Sequence, residues 1–111
     1  MVQSCMNLEI ITQKINTSPA VLLYFSGESC GVCQVLKPKV FEAIKVNYPK
    51  IEVIEISVDE NKLIAATFEA FALPTLILYL DGKEFIKKSR NISVDGLMEE
   101  IQRPYNLFFG E

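Results

Sequence analysis

The run AVLLYFS, Ala20 to Ser26, sets six largely apolar residues in a row before its first small polar side chain. A strand with one wet face alternates apolar and polar residues. A continuous run belongs in a sheet covered on both sides, which calls for helical layers above and below. TLILYL, Thr75 to Leu80, has the same character. IEVIEIS, Ile51 to Ser57, alternates more openly, but Ile54 breaks the pattern, so both of its faces are expected to be at least partly covered.

The segments between these runs read as helices. In NLEIITQKINTS, Leu8, Ile11 and Ile15 share one face and Ser18-Pro19 ends the segment. From Cys33, QVLKPKVFEAIKVNYP turns Val35, Leu36, Val40, Ile44 and Phe41 inward, with Pro38 expected to kink the helix rather than end it. Asp59 is placed to cap a short helix through Lys62, Leu63, Ala66 and Phe68. Asp81-Gly82 predicts a hairpin from TLILYL into KEFIKKS. Ser93 caps a last helix with Val94, Leu97, Met98 and Ile101 as its stripe, ending before Pro104, and the aromatic tail YNLFFGE packs back on the domain. Helices between the early strands imply parallel pairing, and the hairpin adds an antiparallel edge. The expectation is an α/β fold with a mixed central sheet of about four strands. At 111 residues the whole chain, 1–111, suits one domain.

Composition narrows the function. A net charge of −3 and a basic group limited to Lys87, Lys88 and Arg90 exclude a phosphate-backbone binder, so no nucleic-acid partner is expected. No run approaches the ~18 apolar residues of a membrane span, and no membrane partner is expected. The first residues lack a basic segment followed by a long apolar one, and three cysteines are no disulfide framework. A cytoplasmic monomer is the expectation.

Two of those cysteines lie in GESCGVC, Gly27 to Cys33, straight after the buried run. A strand end opening into a helix places Cys30 in the first turn and Cys33 one turn on, a spacing that permits a disulfide between them. Unpaired N–H groups at a helix start favour a thiolate on Cys30, while Cys33 is the more enclosed thiol. Gly31 lets the loop pass between reduced and oxidised geometry. Two other readings compete. A structural zinc site wants four ligands, and the chain has no histidine and only Cys5 besides the pair. Two inert core thiols fit poorly beside Gly27, Glu28, Ser29 and Gly31, which describe an exposed loop. Exchange chemistry needs no metal or organic cofactor, and none is expected.

The stretch FALPT adds a second signal, because Pro74 opens a buried strand where a missing N–H costs least. With YFSGESCGVC, the Pro38 kink, the VDEN step, ALPT and the DGKE hairpin in hand, the chain resembles the thioredoxin family from about Asn7 to Ile101. The resemblance implies the thioredoxin fold, with its first strand here short or absent. It also implies thiol–disulfide exchange with Cys30 as nucleophile, Cys33 as resolving thiol and Pro74 as a cis proline facing them. Ser29, Gly31, Val32, Leu73 and Arg90 then border the substrate groove. The implied partners are disulfide-bearing proteins and a reductase or other dithiol donor.

The departures from the family are specific. Ser29 and Val32 replace the usual Trp and Pro, and Arg90 and Asn91 fall where glycine and a small residue normally stand. Tyr24 occupies the place of a buried aspartate and Glu55 that of its lysine partner. Tyr24 and Glu55 are therefore the candidate aids to proton transfer at Cys33. A non-catalytic binding module or redox sensor on the same fold is the alternative that these departures feed.

Overall fold

A computed structural model of the chain describes residues 2–3 and 7–110, and Cys5 lies outside them. All seven residues of β2 (Ala20–Ser26) are buried, as the unbroken apolar run requires. The sheet runs β1 (Val2–Gln3), β3 (Glu52–Ser57), β2, β4 (Thr75–Leu80) and β5 (Lys83–Ser89) in spatial order. β2 pairs in parallel with β3 and antiparallel with β4, which turns into β5. The sheet thus has the four expected strands and a short fifth. The addition is the two-residue β1, which pairs in parallel with β3 and is the expected short first strand.

The helices α1 (Leu8–Thr17), α2 (Gly31–Asn47), α3 (Lys62–Thr67) and α4 (Val94–Phe109) divide between the two faces. On one face, Leu22, Tyr24, Leu76 and Leu78 pack against Val40 and Ile44 of α2 and Leu97, Ile101 and Tyr105 of α4. On the other, Val21, Leu23, Phe25, Ile54, Ile56 and Ile77 meet Ile11 and Ile15 of α1 and Ile64 and Ala65 of α3. Ile54 breaks alternation in the sequence because both of its strand's faces carry a helix.

Four local expectations are corrected. α2 starts at Gly31, and Val35 is 62 % exposed, because Cys33, Leu36, Val40 and Ile44 already define the inward face and residue 35 falls opposite it. Asp59 is no cap: Asn61 precedes α3 without a side-chain bond, and the Asp59 carboxylate instead accepts the Glu28 backbone N–H at 2.6 Å. Leu63 is exposed. α4 does not stop before Pro104 but runs to Phe109 and ends at Gly110 with φ 73°. Proline removes one i→i−4 hydrogen bond from a helix. The stripe Leu97, Ile101, Tyr105 continues through it at four-residue spacing, and that burial carries the helix on.

Asp81 and Gly82 take φ of 54° and 77°, both positive, as a two-residue hairpin turn of the I′ kind requires. The β4–β5 register shifts between Leu78 and Tyr79, leaving Phe85 as the extra residue of a bulge on the edge strand.

Tyr105 is 2 % exposed, its ring tilted against Tyr48 and Phe109 at 4.7 Å. Tyr105→Ala is expected to cost about 3 kcal/mol, read as a lower urea midpoint at unchanged slope. Leu107→Ala, two residues away on the exposed side, should stay within about 0.5 kcal/mol of the parent.

Candidate active site

β2 ends at Ser26 and the chain must then clear the sheet edge before α2 begins. Gly27 is buried in that gap: a Cβ built on it would meet Leu73 Cδ1 at 3.0 Å, so the cysteine loop and the Leu73 loop touch where only glycine fits without displacing Leu73. The bond from Glu28 N–H to Asp59 and that from Cys30 N–H to the Gly27 carbonyl at 3.1 Å hold the loop.

Cys30 is the N-cap of α2, and its Sγ accepts the Cys33 backbone N–H at 3.2 Å. Cys30 and Cys33 are joined in a disulfide with Cα atoms 5.3 Å apart. Cys30 is partly exposed and Cys33 wholly buried. The helix start aims an N–H at Cys30 sulfur and favours negative charge there, so the reachable sulfur is also the one best held as a thiolate.

Beneath Cys33 lies a small polar cluster in an otherwise apolar face. Tyr24 is fully buried and its hydroxyl donates to the Cys33 carbonyl at 3.0 Å. Burial, with the neighbouring Glu55 carboxylate adding to it, pushes the Tyr24 phenol up to about 12. Glu55 stands beside Tyr24 in the β2–β3 register. It accepts from Lys37 Nζ at 3.0 and 3.3 Å and from Ser26 Oγ at 3.4 Å. Lys37 was not among the sequence candidates. Its position four residues after Cys33, on the same helix face, is the signal that points to it.

The Leu73–Pro74 bond is cis. Thr75 stands opposite Phe25 across β2 and β4, which sets Pro74 at the sheet end where the cysteine loop leaves. The Thr75 hydroxyl donates to the Ala72 carbonyl and lies 3.1 Å from Ser89 Oγ. Arg90 N–H donates to the Pro74 carbonyl at 2.8 Å, with Arg90 at φ 65°, in the left-handed region where glycine is the easier residue. Ser29, Gly31 and Val32 lie exposed on the cysteine loop and Leu73 is half-buried against it. One end of the sheet thus gathers Cys30, Cys33, Ser29, Gly31, Val32, Leu73, Pro74 and Arg90, with Tyr24 and Glu55 below. Phe71, two residues before Leu73, is 78 % exposed and was not singled out from sequence.

Among the described residues no three His, Cys, Asp or Glu side chains stand together as metal ligands, and no helix is long and apolar enough to cross a membrane.

The comparisons with known proteins agree with this geometry. The thioredoxin family model matches residues 4–103. The chain is 30 % identical over 89 residues to the thioredoxin-like protein YdfQ of Bacillus subtilis, covering 80 % of this chain and 79 % of that one. It is 40 % identical over 67 residues to the thioredoxin of Chlamydia pneumoniae, covering 60 % and 65 %. The crystal structure of oxidised mitochondrial thioredoxin 3 from Saccharomyces cerevisiae superposes with a TM-score of 0.81 at 26 % identity, covering 91 % and 93 %. The fold and the paired cysteines define a thiol–disulfide oxidoreductase. The chain belongs to the thioredoxin family.

The raised Tyr24 phenol has a consequence for stability. Above pH ~10 an unfolded tyrosine sheds its proton while the folded one keeps it, so the unfolded state binds fewer protons and stability falls as pH rises. This contribution is whole below about pH 10 and is lost on passing through about 12. Tyr79, also pushed up to about 12, loses stability in the same window. Tyr24→Phe should therefore lose less stability than the parent between about pH 10 and 12, measured by urea unfolding. Near neutral pH it should be about 1 kcal/mol weaker for want of the bond to Cys33.

Proposed function

We propose that this protein reduces disulfides in other proteins by dithiol–disulfide exchange. The observation that carries the reading is the asymmetry of the pair: Cys30 partly exposed, its sulfur on a helix N-terminal N–H, and Cys33 buried one turn behind it. In the reduced form the Cys30 thiolate attacks one sulfur of a partner disulfide. A Cys30–partner S–S bond forms, the partner's own S–S bond breaks, and its first sulfur leaves as a thiolate that takes up a proton. Cys33 then loses its proton and attacks Cys30 Sγ. The second partner sulfur leaves as a thiol and the Cys30–Cys33 disulfide remains. Two electrons pass to the partner, and a reductase or other dithiol donor returns them.

The partner segment lies in the groove between the cysteine loop and the Leu73–Pro74 turn. Main-chain pairing beside Leu73 positions its sulfur, and Ser29, Gly31, Val32 and Arg90 form the rim. Such a groove is permissive about side chains, so selection falls to the exposed apolar groups around it, Val32 and Phe71 among them.

A disulfide-bonded model protein, turned over with a dithiol as recycling reductant, tests this. The parent should reduce it, Cys30→Ser should abolish the activity, and Cys33→Ser should accumulate a covalent mixed disulfide visible on a non-reducing gel. A folded parent that neither reduces the substrate nor forms that adduct would replace this reading with the non-catalytic binding module.

A further inference from the structure

The exchange reading leaves the Cys33 proton without a destination, because Cys33 is wholly buried in the oxidised form and its thiol must ionise before it can attack. A connected polar cluster reaches Cys33 on that face: Tyr24 of β2 bonds its carbonyl, and Glu55 of β3, the register neighbour of Tyr24, accepts from Ser26 of β2 and Lys37 of α2. With its phenol pushed up to about 12, Tyr24 keeps its proton near neutral pH and directs it at the Cys33 carbonyl. A serine hydroxyl is no base, and a lysine ammonium carries its proton already. Within this cluster Glu55 is the one group that can accept a proton, and the Asp59 carboxylate lies across the cysteine loop on the Glu28 N–H.

Its placement suits the task. Glu55 is the direct strand neighbour of Tyr24, the residue that touches Cys33, and it is gripped by Lys37, which follows Cys33 by one helical turn. The carboxylate thus lies between the residue that bonds the Cys33 carbonyl and a lysine one turn beyond Cys33, and 21 % of its side chain remains open to solvent, an exit for the proton.

We infer that Glu55 is the catalytic base for the resolving step, and that Lys37 and Ser26 are the positioning residues that hold its carboxylate under Cys33. Glu55 takes the Cys33 thiol proton, directly or through one water. The Cys33 thiolate attacks Cys30 Sγ, the S–S bond to the partner breaks, and the leaving partner thiolate is protonated by Glu55 or by water. Atoms and electrons balance within the exchange, with no further reactant.

This inference rests on the exchange reading, and one experiment separates the two. A symmetric peptide disulfide with a fluorophore on each half reports both steps in single turnover: attack by Cys30 frees the first half, and attack by Cys33 frees the second. Glu55→Gln should leave the first phase within about twofold of the parent and slow the second by at least ~tenfold near neutral pH. The deficit should close at higher pH, where the thiol ionises unaided. Lys37→Met, which removes the group that grips the carboxylate, should slow the second phase at least ~threefold and leave the first unchanged, and Lys37→Arg should restore it. Should Glu55→Gln fail to fold, the Lys37→Met, Glu55→Gln double variant removes both charges and should show the same slow second phase. A second phase at the parental rate in the folded Gln variant overturns the assignment of Glu55. A parent with no first phase overturns the exchange reading instead.

Discussion

Burial of β2 on both faces is the constraint on which the other features depend. A strand with no wet side needs a helical layer above and another below, and α2 and α4 on one face and α1 and α3 on the other supply them. The chain can leave such a strand only at its end. There Gly27 passes under Leu73, and the following turn starts α2 with its N–H groups aimed back at the sheet end. The N–H aimed at the Cys30 sulfur is thus a product of how a fully covered strand hands over to a helix.

The same burial separates the two sulfurs. Cys30, at the cap, stays within reach of a partner, whereas Cys33, one turn along, faces the sheet with Val40 and Ile44 of the same helix and is closed off. An enclosed thiol is protected from outside reagents and also from outside bases. The polar groups behind it come from the sheet, where Tyr24, Ser26 and Glu55 lie. Tyr24 satisfies the Cys33 carbonyl and Lys37 satisfies Glu55, so the cluster sits under an apolar face without leaving a buried polar side chain unpaired among the described residues.

What could be read in the sequence followed the strength of the local signal. The limits of β2 and β4 were legible because apolar runs stop at Pro19, Ser26, Pro74 and Asp81, residues that change the backbone or the polarity abruptly. Cys30, Cys33 and Pro74 were legible because few roles suit those residue types in those places. Val35 was misplaced because α2 is apolar on more than one side, so periodicity alone does not say which valine turns in. The end of α4 was misplaced because a local rule about proline was set against burial of Tyr105, a tertiary effect the rule cannot weigh. Lys37 went unnoticed because a lysine in a helix reads as a solvated side chain. Only the packing of α2 on β3 shows that an acid stands 3.0 Å from it. The left-handed backbone of Arg90 is marked in the sequence only by the glycine that the family carries there; the hydrogen bond to the Pro74 carbonyl accompanies it.

The Lys37–Glu55 pair also bears on why a charged couple sits under an apolar face at all. With side chains 33 % and 21 % exposed, such a pair contributes only about 0–1 kcal/mol once screening and side-chain ordering are counted. Lys14–Glu52 has the same 3.0 Å separation and similar exposure, so pairing by itself marks no function. The two differ in address. Glu52 opens β3, at the sheet end remote from the cysteine loop, whereas Glu55 lies alongside Tyr24, whose hydroxyl holds the Cys33 carbonyl. A charge pair of little worth to stability, set beside the tyrosine that bonds the Cys33 carbonyl, suits the role inferred for it: a fixed carboxylate with an open side toward solvent.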